Sequence, residues 1–185
     1  IVFFQIHATY PLYLTEHYGM TKPLIGLIYA VNTVVIVVIE MVLLNFVRRW
    51  SMTSVIGWGA FLSCLGFGML PFGTSGSYCV LSMLVITLGE MLWMPLASGW
   101  IAHRSDRGNR GLYMGWYAMT FSIAAIVAPA CGGAVYQLDR HLVWYISIAL
   151  GGIVLVGFFG LNLLLAKEVR LDCAPNAVER VPNSG

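Results

Sequence analysis

The sequence predicts an all-α fold, a polytopic transmembrane helix bundle. Three observations carry that expectation. The 185 residues are 59% hydrophobic and only 10% charged, where a water-soluble domain carries about 25% charged residues. The apolar residues fall in runs of about 20, the length a helix needs to cross a bilayer. Those runs are apolar all round, whereas barrel strands are shorter and alternate.

Six spans follow in order. The first, from Ile1 to about Leu14, is already under way at the first residue and reads as a helix that has been cut. No basic stretch or small-residue cleavage site precedes it, so a signal peptide is not indicated. The second runs from about Leu24 to Val47, the third from Thr53 to Phe72, and the fourth from Tyr78 to Ile101. The fifth covers about Leu112 to Gln137 and the sixth about Leu142 to Ala166. The connections "TEHYGMTK", "RRWSM", "GTSGS", "AHRSDRGNRG" and "LDRH" are short, which forces sequential helices to run antiparallel. Residues 1–168 thus form one six-helix domain with a truncated first span. The polar tail 169–185, with Pro175 and Pro182, is expected to be disordered.

The basic residues orient the bundle. One side receives Arg48, Arg49, Arg104, Arg107, Arg110, Lys167, Arg170 and Arg180, eight of the ten Lys and Arg; the other receives Lys22 and Arg140. The positive-inside rule places the first side, and the C-terminus, in the cytoplasm of a cell (plasma or inner) membrane. Tyr10, Tyr13, Trp50, Tyr78, Trp100, Tyr113, Trp116, Tyr136, Trp144 and Tyr145 lie near span ends, where amphipathic rings prefer to sit. His17, His103 and His141 also lie near span ends and are expected to be solvated.

A bilayer gives helices little hydrophobic reason to associate, so small residues carry the packing. Ala124, Ala128 and Gly132 form one such stripe, and Gly151, Gly152, Gly157 and Gly160 mark the sixth span. Pro95 and Pro129 each remove a backbone donor and are expected to bend their helices. Cys64 and Cys131 fall in apolar runs and read as small buried hydrophobes; no cysteine spacing suggests a metal site.

Two carboxylates interrupt the apolar runs. Glu40 stands in "VVIVVIEMVLL", about 12 Å from the Arg48 boundary at helical rise. Glu90 stands near the middle of the fourth span, with Trp93 three residues on. An ionised group at such depth costs roughly 3 kcal/mol on insertion scales. It persists where it faces a wet cavity or a bundle interior, or stays protonated. A carboxylate beside an indole suits a protonatable site or one that accepts a lipophilic cation. Gln5 and Asn32 are neutral amides that either shape a site or bond helices together. The candidate substrate and proton site is therefore Glu90, Glu40, Gln5, Asn32 and Trp93.

No phosphate loop, dinucleotide fingerprint, HExxH or GxSxG is present. No cofactor or metal is expected, no catalytic pair is visible, and the net charge of +2 is too small to suggest nucleic acid. The expected partners are a small-molecule substrate, protons and the lipid bilayer.

Several segments together resemble the C-terminal six-helix half of a major facilitator superfamily transporter. "QIHATYPLYL" (Gln5, Pro11) looks like its seventh helix. "NFVRRWSMTSVIGWG" (Arg48, Arg49, Gly57) is similar to its basic eighth-to-ninth loop, with the motif's aspartate missing. "TLGEMLWMP" (Glu90, Pro95) resembles its tenth helix. "RGLYMG" (Arg110, Gly111) with "APACGG" (Pro129, Gly132, Gly133) looks like the tenth-to-eleventh loop and the eleventh helix. The resemblance makes Arg48, Arg49, Arg110 and Gly111 the candidate gating-loop residues, although the missing aspartate leaves the first pair without the motif's role. It also implies a partner, the missing N-terminal six-helix half, and secondary transport of a small solute by alternating access. Many members are proton-coupled and some extrude drugs, so a drug:proton antiporter is among the implied types; import and export both stay open. A membrane scaffold without transport activity, or an intramembrane enzyme, are the rival readings.

Overall fold

The computed structural model describes residues 1–106 and 108–173, with side chains described as far as residue 164. Every regular element among them is helical. After a 3-10 turn, Phe3–Ile6, come α1 (Thr9–Glu16), α2 (Lys22–Val47), α3 (Met52–Met69, continued by a 3-10 turn Leu70–Phe72), α4 (Gly76–Arg104), α5 (Arg110–Leu138) and α6 (Leu142–Cys173). Five of these helices, α2 to α6, are long and apolar enough to cross a membrane. Of the expected tail, 174–185 lie outside the described residues, as does Arg107.

The first segment is not one helix, as the sequence suggested, but the 3-10 turn followed by the eight-residue α1. Two groups account for the break. Pro11 has no N–H to give the His7 carbonyl, and its ring crowds that oxygen. The Ile6 carbonyl, which a continuous helix would point at the amide of Tyr10, accepts the Tyr29 hydroxyl instead. The chain then leaves α1 through Gly19, whose φ of +63° is the one positive value recorded and suits a residue without Cβ. The Met20 amide donates back to the Leu14 carbonyl across this turn.

α3 is the centre of the bundle, packed between α4 and α6. Its glycines make this possible. A methyl at Gly59 would lie 2.7 Å from Leu92 Cβ and 2.8 Å from the Trp93 amide nitrogen, and one at Gly66 would lie 2.8 Å from the Ile86 amide nitrogen. Gly57 and Gly68 do the same toward α6, against Phe158 and Ile148. The glycines of α6 contribute less than expected. Gly151 meets Cys64, but Gly152, Gly157 and Gly160 face open space. On α5 the small stripe is used: Ala128 and Gly132 are buried, and Gly132 leaves room for the Gln5 amide.

The core gathers at the end of the bundle opposite Arg48, Arg49, Arg104 and Arg110. Tyr10, Tyr13 and Leu14 of α1 meet Phe67 and Leu70, Met83 and Ile86 of α4, and Trp144 of α6. Tyr10, Tyr13 and Trp144 therefore belong to the interior, not to the interfacial belt their positions suggested. Trp144 stacks on Phe67 at 6.0 Å. His17 and His141 likewise are not fully solvated. His17 stacks on the Tyr13 ring at 4.8 Å, and the Tyr13 hydroxyl bonds His141 Nδ1 at 2.9 Å. Cys64 is buried as expected, whereas Cys131 is exposed on a helix that packs only along one edge.

α2 shows why a hydrophobic helix can be largely uncovered. Ile25, Ile28, Tyr29, Asn32, Val35, Ile36, Glu40 and Leu43 are at least half-buried and recur at helical spacing, a single stripe turned to the bundle. Val34, Val37, Val38, Met41 and Val42 on the other face are exposed. In water that face would be a large liability; in lipid it costs nothing.

Candidate functional site

The α2–α4 seam brings two of the sequence candidates together. Asn32 reaches from α2 and donates its amide to Thr87 Oγ1 at 2.8 Å and, at a longer 3.4 Å, to Glu90 Oε2. Thr87 can accept because its own hydroxyl proton goes to the Met83 carbonyl, 2.7 Å away, one turn back along α4. Glu90 is half-buried, and Asn32 is its recorded side-chain partner. That partner is a neutral amide, and no cation is recorded beside Glu90 among the described residues. Gly89, just before it, is buried against α3 near Ser63, which fixes the height of Glu90 in the bundle.

Glu40 stands apart. It lies on the same inward stripe of α2 but two turns, about 12 Å, beyond Asn32. Gln5 is placed elsewhere again. It is buried, donates to the Ala128 carbonyl at 2.8 Å and accepts the Thr9 hydroxyl at 2.9 Å. Its amide thus ties the 3-10 turn to α5 and to α1.

Trp93 sits one turn from Glu90 on α4 and opens an aromatic wall. Its indole stacks on Phe121 of α5 at 6.1 Å, nearly parallel, and takes the edge of Phe3 at 5.8 Å. Phe4 and Tyr117 both meet Phe121 edge-on, at 6.2 and 5.1 Å. These rings, with Thr120 and Ala124, line a chamber of about 260 Å³. A second, larger cavity of about 480 Å³ lies behind Trp93 between α3, α4 and α6, lined by Ala60, Ser63, Ala97 and Phe158 among others. Both lie toward the end that bears Arg48, Arg49 and Arg104, and Phe67 of the core borders the larger one.

The candidate gating residues lie at that end. Arg48 and Arg49 follow α2, Arg110 and Gly111 open α5, and all four are exposed. Arg104 nearby covers the Trp100 ring at 5.4 Å.

Thr87, Phe3, Phe4, Tyr117 and Phe121 were not singled out from the sequence. The i, i+4 spacing of Tyr117 and Phe121 was the available signal, but in an apolar helix it looks the same as a lipid-facing pair.

Five long apolar helices around a glycine-lined α3, with neutral amides and two carboxylates inside the spans, have the make-up of a polytopic membrane protein. The comparison that decides the family is a match of residues 2–177 to the model of the Major Facilitator Superfamily. The chain belongs to the major facilitator superfamily. Two relatives, both from Bacillus subtilis strain 168, agree. The uncharacterized MFS-type transporter YqjV is 24% identical over 83% of this chain and 38% of its own length. The uncharacterized MFS-type transporter YttB is 22% identical over 84% of this chain and 39% of its own length. The chain therefore spans about two-fifths of the length of these superfamily relatives. Membership makes it a multi-pass membrane protein of a transporter family, whose members bind small solutes within the bilayer.

Proposed function

We propose that the chain is the C-terminal six-helix half of a proton-coupled secondary transporter, working by alternating access with an N-terminal half that completes the site. The drug:proton antiporter type is the subfamily this reading favours. The charge bias supports a C-terminus in the cytoplasm of the cell membrane, with Arg48, Arg49, Arg110 and Gly111 in loops that part and close as the halves rock.

The observation that carries the reading is Glu90: half-buried at mid-span, held by an amide and paired with no cation among the described residues. A structural acid would be expected to have a fixed ionic partner or a full set of donors. Glu90 takes up a proton when its side of the cavity is open to one compartment and gives it up to the other. Asn32 positions it, Glu40 assists along the same stripe, and Trp93 faces the solute. Gln5 holds the first span in place beside the site.

The test uses the full-length protein in proteoliposomes with an imposed pH gradient, screened with ethidium, tetraphenylphosphonium, glucose and leucine. At least one should accumulate uphill. Glu90→Gln should abolish uphill accumulation and leave downhill exchange of the same solute intact. Undiminished gradient-driven accumulation by the Gln variant would end the proposal.

A further inference from the structure

We infer that Thr87 is a positioning residue for the acid: it holds the Asn32 amide back from Glu90, so that the carboxyl is contacted but never clamped. This rests on the transport reading above and goes further by naming the side chain that sets how firmly the amide acts on Glu90.

The geometry of three side chains carries the inference. Thr87 is fully buried on α4, three residues before Glu90. Its single hydroxyl hydrogen goes to the Met83 carbonyl at 2.7 Å, so toward α2 it can only accept. Asn32 therefore presents its NH2 end, and Nδ2 reaches Thr87 Oγ1 at 2.8 Å. The second hydrogen of the same nitrogen points to Glu90 Oε2 at 3.4 Å, beyond the usual range of about 2.7–3.2 Å. An ionised carboxylate accepts more strongly than a hydroxyl, and a charge-assisted bond settles at about 2.7–2.9 Å. Left to itself, the amide would close on Glu90 and lengthen its bond to the weaker acceptor. The distances run the other way. A hydroxyl that is itself donating is polarised into a better acceptor, and Thr87, packed on all sides, cannot follow the amide toward Glu90.

The plainer role for Thr87 is glue between α2 and α4. Glue of that kind steadies the seam and has no bearing on the acid. Here both bonds leave one nitrogen, so a change in one moves the other. Among the described residues, the side chains recorded as acting on the Glu90 charge are Asn32 and Glu40, both of α2. Of the two, Asn32 is the one bonded to Thr87.

Infrared difference spectroscopy of the purified full-length protein tests this. The carboxyl band of Glu90, identified by its loss in Glu90→Gln, is titrated against pH. Thr87→Val keeps the side-chain shape and removes the acceptor. It should free Asn32 to close on the ionised acid and move the midpoint down by about half a pH unit, a roughly threefold loss of proton affinity. Thr87→Ser, which retains the hydroxyl, should titrate as the unaltered protein does. Asn32→Ala alone should move the midpoint up, and adding Thr87→Val to it should change nothing further, because the effect passes through the amide. An unmoved or raised midpoint in Thr87→Val, an unmoved one in Asn32→Ala, an equal downward shift with Asn32 absent, or a Glu90 that does not titrate would overturn the inference. If the midpoints moved as stated in a protein that accumulates no solute, the role of Thr87 would stand and the transport reading would fall. Glu90-dependent uphill accumulation with an unmoved midpoint in Thr87→Val would do the reverse.

Discussion

Asn32 and Gln5 looked alike in the sequence, two amides in apolar helices, and the structure gives them different work. Gln5 spends its amide on the Ala128 carbonyl and the Thr9 hydroxyl, both within the chain. Asn32 holds Thr87 firmly and Glu90 loosely. Which amide would meet a carboxylate depended on which helices touch, and nothing local to either residue records that. The far end of the bundle offers a residue-scale test of a different kind. His17, in the loop after α1, is faced by the Tyr13 ring and by His141 and Arg140 of the α5–α6 loop, with Tyr18 beside it. Asp139 accepts from the His141 backbone. Burial, then the charges of His141 and Arg140, lower the His17 pKa below the usual histidine value, with the Gly73 carbonyl opposing. The fold thus prefers neutral His17. Its contribution is complete above about pH 6.5, the unfolded value, and is lost as pH falls from there toward the lowered native value. Thermal unfolding of the full-length protein in detergent should show a melting temperature that drops between pH 7 and 5, and drops less in His17→Gln. Equal drops would show that the pair is not strained by protonation.

At the scale of elements the sequence was most informative about existence and least about contact. The expected spans 24–47, 53–72, 78–101, 112–137 and 142–166 correspond to Lys22–Val47, Met52–Phe72, Gly76–Arg104, Arg110–Leu138 and Leu142–Cys173. Twenty apolar residues between polar loops leave a chain in a bilayer little choice but to be helical. The break before α1 was harder to see, because it needed Tyr29 of another helix to take the Ile6 carbonyl as well as the local effect of Pro11. Packing faces were also hidden. A helix that is apolar all round has no moment to say which side is protein and which is lipid, so the glycines of α6 were singled out for packing and those of α3 were not. The structure separates them, and a substitution pair checks the separation. Gly59→Val should strain the α3–α4 contact and cost about 1–3 kcal/mol, as overpacking does. Gly157→Ala, which meets open space, should be nearly neutral. Chemical or thermal unfolding of the two variants measures the difference; equal stabilities would mean that α3 and α4 are not in close contact.

Across the whole molecule, the packed core sits at one end and the cavities toward the other, while α2 and α5 present long uncovered apolar faces. In the proposed transporter, one of those faces would meet the second helical half and the others lipid. The gathering of basic residues in alternate loops was legible in the sequence because it depends only on loop parity. The aromatic chamber was not, because its five rings come from three segments distant along the chain. The central claim is that Glu90 looks onto water once both halves are assembled. The direct measurement places a cysteine there, Glu90→Cys, in a full-length protein whose Cys64, Cys79, Cys131 and Cys173 have been replaced, and treats membrane vesicles with a water-soluble cationic methanethiosulfonate. A wet passage predicts modification far faster than at Val37→Cys on the uncovered face of α2. Protection as complete as at Val37→Cys would contradict it.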